Sequence, residues 1–327
     1  ELAVNSENNT FINLSGFKFT KIRAVFDTPN MSTDFGALLL NEVEKECNII
    51  TPFCESLKDS RDSFRTLHTQ EDMVRQRVYQ ICLGYEDAND CDTLKSDSSI
   101  KCAVGKHPTD SDLSSQPTMS RLENSVDCVD LRKSGEALMD SFASLFAKPP
   151  RSIIIDVDPT SSHCYGDQQL SIFNKYEDAY CLMPFHVYDG ITGRLITTLV
   201  RPGKTPSAKE IIDLLNWVVT NLKKHFPKTM LLFRADGHHS KPAVHNYCDD
   251  NGVEFIIGQP KNKVLDRQFS FIKERARKIF DETKQPLMIF ASGFYAAQTW
   301  KNHQRIVCRV IINAKGDIDT RYVVTSF

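Results

Sequence analysis

The stretch Ser152-Ile153-Ile154-Ile155-Asp156-Val157-Asp158 decides how this chain folds. Its β-branched run is short and reads as a strand. The side-chain period of two puts Asp156 and Asp158 on one face, with Val157 on the other. A second stretch, TMLLFRAD (229–236), repeats the arrangement, an apolar strand that gives way to a turn at Asp236. Carboxylates at C-terminal strand ends meet at the open edge of an α/β sheet, where ligands bind. Crowded carboxylates repel one another, and Mg2+ or Mn2+ relieves the repulsion while accepting hard oxygen ligands. A site of this kind holds two metal ions, one for the attacking and one for the leaving oxygen of a phosphodiester. The plainer alternative is that Asp156 or Asp158 begins a turn and Asp236 caps a helix; spacing alone does not separate the two.

Beyond these strands the rhythm stays mixed. Residues 179–189 and 191–200 read as a hairpin joined at Asp189-Gly190. Ser207 and Glu210 have capping-box spacing and open an amphipathic helix carrying Ile211, Leu215, Val218 and Leu222. A helix near 241–250, the strand VEFIIG, a basic helix over 264–284 and three strand-like segments follow. The order strand, hairpin, helix, strand, helix predicts a mixed α/β sheet flanked by helices. Upstream, Lys148-Pro149-Pro150 stops the helical stretch DLRKSGEALMDSFASLFA and sets a domain boundary there. Before it, GALLLNEVEKEC and EDMVRQRVYQICLG have helical spacing. The span 87–117 carries turn and cap chemistry, and Ser115 and Pro117 mark the start of a short helix, TMSRLENSV.

With 327 residues, 41% hydrophobic and 25% charged, the composition is that of an ordinary globular protein of two domains. No apolar run approaches the roughly 18 to 20 residues of a membrane span, so no membrane partner is expected. No secretory signal opens the sequence, and ten scattered cysteines without a C-x-x-C pair read as reduced thiols of the cytoplasm. The net charge of −2 is unevenly spread: residues 1–150 carry 16 Lys+Arg against 24 Asp+Glu, and residues 151–327 carry 24 against 18. The second half is therefore the better partner for a polyanion, although the same surface also serves plain solubility. No glycine-rich phosphate loop is present. His238-His239 follows Asp236 closely enough to suggest a metal ligand, but adjacent residues diverge and a solvated turn is the plainer reading.

Five segments carry a resemblance: VRQRVYQICLGYEDANDCDTLKSD (74–97), SSQPTMSRLENSVD (114–127), IIIDVDPTSSHCYGDQQ (153–169), LLFRADGHHS with CDDNGVEFIIGQPKN (248–262), and RYVVTS near the end. In this order they resemble the group 1 DDE transposases of bacterial insertion sequences. The third segment supplies Asp158, Thr160, Gly166 and Gln168 of the family pattern.

The resemblance implies a ribonuclease-H-like catalytic domain over 149–327, with a partly β insertion at 260–327. It makes Asp158 the first metal-binding catalytic acid and Asp236 the second, with Asp156 as an auxiliary ligand and two Mg2+ or Mn2+ ions as cofactors. The third acid belongs to a Y-x2-R-x3-E-x6-K helix that this chain lacks, so it is expected beyond Phe327, in a fragment or decayed copy; Glu274 and Glu282 stay unassigned. Gly237-His238 stands where the family carries Ser-Gly. Residues 1–148 become a helical domain with a helix-turn-helix around 112–127, whose Arg121 and Asn124 approach bases. The expected partners are terminal inverted repeats and target DNA, bound by a homo-oligomer associated with the nucleoid. The implied activity is cleavage at element ends followed by strand transfer. A nuclease or resolvase of the same fold, or a non-catalytic DNA-binding remnant, stays open.

Overall fold

A computed structural model describes residues 32–327, together with the backbone of three short strands within the first 31 residues. Those strands, β1 (Leu2–Val4), β2 (Thr10–Leu14) and β3 (Ile22–Ala24), form an antiparallel sheet in the order β1-β2-β3. The chain divides into two compact units, residues 1–141 and 142–327.

The first unit is built on helices α1 (Gly36–Cys47), α2 (Ile50–Ser56), α3 (Gln70–Cys82), α4 (Asp90–Leu94), α5 (Ser98–Val104), α6 (Gln116–Ser125) and α7 (Cys128–Ser144). α1 and α3 fall on the two segments with helical spacing, and Thr69 caps α3 by accepting the Asp72 amide. The span 87–117 is not only turn: it holds α4 and α5. Asp97 caps α5 at Ile100, and Gly105 ends it at φ +91°. Helices this short have too few residues for a periodic signal. Ala37, Leu38, Tyr79, Ile100 and Leu113 belong to the core of this unit. The boundary between units falls inside α7, ahead of Lys148-Pro149-Pro150.

The second unit is a mixed eight-stranded sheet with helices. Its elements are β4 (Ser152–Pro159), β5 (Ser162–His163), β6 (Ile172–Asn174), β7 (Ala179–Leu182), β8 (Phe185–Asp189), β9 (Leu195–Leu199), α8 (Ala208–His225), β10 (Met230–Ala235), α9 (Pro242–Asn251), β11 (Glu254–Gln259), α10 (Lys263–Gln268), α11 (Ser270–Thr283), β12 (Leu287–Tyr295), β13 (Gln304–Ile312) and β14 (Ile318–Thr325). The strand order is β12-β13-β14-β11-β10-β4-β8-β9. β8 and β9 run antiparallel to β4, whereas β10 and β11 run parallel to it. This is the mixed α/β, ribonuclease-H-like arrangement that the resemblance implies. The capping box at Ser207 and Glu210 forms as the spacing predicts, and α8 buries Ile211, Leu215, Val218 and Leu222.

Two features differ from the sequence reading. The single strand expected over 179–189 is two, because Pro184 cannot donate to a ladder. β7 joins a small sheet of order β5-β7-β6, and only β8 pairs with β9 in the main sheet. The C-terminal segments, expected as a partly β insertion, continue the main sheet: β14 pairs with β11, and β13 and β12 extend it as an antiparallel meander. α10 and α11 meet at Phe269, which breaks the expected basic helix in two. They cover one face of β12, since a Cβ on Gly293 would lie 3.0 Å from Gln268 and 3.4 Å from Phe269. Met288, Phe290 and Phe294 alternate onto the opposite face, and all three are exposed.

Candidate active site

β4 and β10 are paired in parallel with Ser152 beside Met230 and Asp156 beside Arg234. The pairing ends at that step: Asp158 lies two residues beyond Asp156 near the end of β4, and Asp236 lies two residues beyond Arg234, just past the end of β10. Period two keeps Asp156 and Asp158 on one face, while Ile153, Ile155 and Val157 are buried on the other. The turn after β10 is pressed onto β11: a Cβ on Gly258 would stand 2.9 Å from the Gly237 nitrogen, so glycine is required there.

The three aspartates have different neighbours. Asp156 is held by Arg234, whose Nε donates to Oδ1 at 3.1 Å and whose Nη2 pairs with Oδ2. Gly190 leaves room for that guanidinium, which would lie 2.8 Å from any Cβ there. Asp158 is exposed and, among the described residues, has no hydrogen-bond or ion-pair partner. Asp236 caps a 3-10 turn, Gly237–His239, by accepting the His238 amide at 3.0 Å. His239 Nδ1 donates to its Oδ1, and His238 Nδ1 donates to its Oδ2, both at 2.8 Å. The His239 imidazole, joined by that of His238 and opposed by burial, holds the Asp236 carboxyl well below the usual carboxylate range.

The adjacent histidines do diverge, but only one is solvated. His238 is largely exposed; His239 is fully buried, with Phe185 and Phe233 rings about it. Its Nε2 finds no partner among the described residues. Sequence reasoning missed this positioning imidazole, because nothing in the pair His238-His239 says which ring turns inward.

A family model described as transposase DDE domain, group 1, matches residues 15–327. The chain belongs to that family. No curated protein matches it in sequence. Among solved structures it is similar to the piggyBac transposase in a synaptic complex with hairpin DNA, with a TM-score of 0.42 at 12% identity over 90% of this chain. The chain spans 60% of the length of that protein.

For a DDE transposase domain the donor chemistry at the strand ends is suitable. Asp158 offers a free carboxylate and Asp236 a second one, the hard oxygen ligands that Mg2+ and Mn2+ take. The Asp236 carboxylate is held by His238 on Oδ2 and by His239 on Oδ1, and of the two rings only His238 is exposed. Among the described residues, no group of three or more His, Cys, Asp or Glu is set to hold a metal. Glu274 and Glu282 lie on α11, which packs against β12 and β13. In the first unit, Met119 anchors α6 in the core while Arg121 and Asn124, one turn apart, are both exposed. Their polar groups stay local: Arg121 donates to Thr118 Oγ1 and Asn124 to the Ser120 carbonyl. All ten cysteines are free, and no described helix is long and apolar enough to cross a membrane.

Proposed function

We propose that this chain is the catalytic part of a DNA transposase, which cuts phosphodiesters at element ends and joins the freed 3′-hydroxyl to target DNA. The observation that supports the reading is the parallel β4–β10 pairing, with Asp158 and Asp236 each two residues beyond its last pair, in a chain of the DDE family. Asp158 and Asp236 are the residues that hold divalent metal. Bound there, Mg2+ or Mn2+ supplies activation of the attacking oxygen and stabilisation of the leaving one. His239 fixes the Asp236 carboxylate from the buried side. Arg234 pairs with Asp156, so an auxiliary metal role for Asp156 would need that pair to open. DNA is the substrate. Arg121 and Asn124 form the base-approaching face of α6, the helix that would enter the major groove of the terminal inverted repeats.

The test is end cleavage on a labelled inverted-repeat substrate with Mg2+ or Mn2+. Asp158→Asn or Asp236→Asn should abolish cleavage while DNA binding stays within about two-fold. Metal-dependent cleavage by either variant would overturn the assignment. Strand-transfer products from pre-cut ends separate a transposase from a nuclease that cuts without joining.

A further inference from the structure

The face of the sheet that carries Asp236 continues, uncovered by α10 and α11, across β11, β14 and β13 to β12. It forms a groove of about 650 Å³ lined by Arg234, Asp236, Lys261, Phe290, Arg309 and Arg321, among others. Its floor contains an arrangement that the fold does not explain. Arg309 of β13 and Arg321 of β14 stand directly opposite one another, and Phe290 of β12 stands directly opposite Arg309. Partners opposite one another in an antiparallel ladder share a face, and like charges placed so are destabilising. Asp319 answers part of the charge: it takes Arg321 Nε at 3.0 Å and Lys261 Nζ at 3.7 Å. Nothing answers Arg309, which is half-buried and has no hydrogen-bond or ion-pair partner among the described residues. The Phe290 ring beside it is 57% exposed, an apolar plate next to an unmatched cation.

We infer that this row is a subsite for one unpaired nucleotide of the DNA strand running to Asp158 and Asp236, with its backbone phosphate between Arg309 and Arg321 and its base on Phe290. The proposal rests on the transposase reading for the identity of the strand, but its chemistry is local. A guanidinium pair matches the oxygens of a phosphate, and an exposed aromatic ring stacks any base without reading its sequence. The phosphate also removes the repulsion between the two arginines. Register gives the distance: Asp236 adjoins Gly258, Gly258 pairs with Val323, and Arg321 is two residues along β14. Two strand spacings and that offset make about 12 Å. At about 3.4 Å of rise per nucleotide this places the subsite roughly two to four nucleotides from the bond to be cut. A base stacked on Phe290 is unavailable for pairing, so the groove favours single-stranded over duplex DNA near the cut.

The experiment measures fluorescence anisotropy of a labelled single strand and of the matching duplex, in EDTA, across a salt series. The intact chain should bind the single strand more tightly than the duplex. Arg309→Gln with Arg321→Gln should lower the salt slope by about 0.7, one phosphate contact of a single strand, and Phe290→Ala should weaken single-strand binding roughly ten-fold with the slope unchanged. A 5-iodouridine-substituted strand, irradiated with the unmutated chain, should crosslink to Phe290, a readout that no folding defect confounds. Unchanged affinity and slope in the arginine pair variant, or a crosslink that maps elsewhere, would overturn the subsite. Asp158→Asn runs alongside: it should keep all the binding. If it also keeps cleavage, the catalytic assignment fails and the subsite stands.

Discussion

The β4–β10 seam and the β13–β14 seam belong to one sheet, and each sets two charges directly across neighbouring strands. At the inner seam the pair is Asp156 with Arg234, of opposite sign and hydrogen-bonded. At the outer seam it is Arg309 with Arg321, of like sign. The inner pair is complete within the fold and needs no ligand. The outer pair is incomplete without an anion. A charge that the chain itself satisfies belongs to structure, and one it leaves unanswered points outward. By the same measure Asp158, two residues from Asp156, points outward and its neighbour does not.

The largest expected effect separates the seams by function. Asp236→Asn should remove end cleavage altogether and leave single-strand affinity within about two-fold, whereas the Arg309 and Arg321 exchange should do the reverse to affinity. A variant that lost both together would collapse the distinction.

The next effect concerns β11, between the seams. The His245 ring stacks on Phe255 at 5.3 Å and meets Trp300 edge-on at 4.8 Å. Burial, opposed by nearby Asp249, pushes its pKa down to about 4. An unfolded histidine titrates near 6.5, so the unfolded chain takes up the proton first. The neutral ring's contribution is therefore complete above about pH 6.5 and is lost as the pH falls towards 4, by at most about 3 kcal/mol. Urea midpoints at pH 7 and pH 4.5, compared between the protein and His245→Gln, should show this fall only in the former. The arginines of the groove do not titrate in this range.

Smaller again is the inner pair itself. Both side chains are partly exposed, so Arg234→Gln should cost only about 1 kcal/mol in thermal or denaturant unfolding. A loss of several kcal/mol would mean that Asp156 is more deeply desolvated than its exposure shows. The smallest effect has the opposite sign. Arg309→Glu converts a like pair into an opposite one and should raise stability by about 0.5 kcal/mol at low salt, while abolishing the single-strand preference. A destabilised Arg309→Glu would show that Arg321 and Asp319 alone already balance the outer seam.

Much of the inner region is legible in the sequence, for a physical reason. β4, β10 and α8 are specified locally, by β-branched runs and by the Ser207–Glu210 capping box. The two acids end their strands and so announce themselves. The pairings are not legible. Arg234 finds Asp156 across 78 positions of chain, and only the strand order brings them together. Arg309 and Arg321 read as ordinary alternating surface residues until the meander places them opposite one another. The inward turn of His239 depends on Phe185 and Phe233 from two other strands. The split at Pro184 lay in plain view, but its consequence, a second small sheet, depends on which strands were free to receive β7.

β12 has one further consequence. It ends the main sheet, its nine residues, LMIFASGFY, contain neither a charge nor a proline, and it pairs only with β13 among the described residues. Among the described residues no strand lies on its other side, and it lacks the lysines, prolines or bulges by which edge strands discourage strand addition. The protein's colloidal behaviour therefore rests on its main chain as much as on its side chains. Concentrated without a ligand along that border, copies are set to add to one another strand by strand, and a lysine at Ser292 is the substitution that would keep them apart.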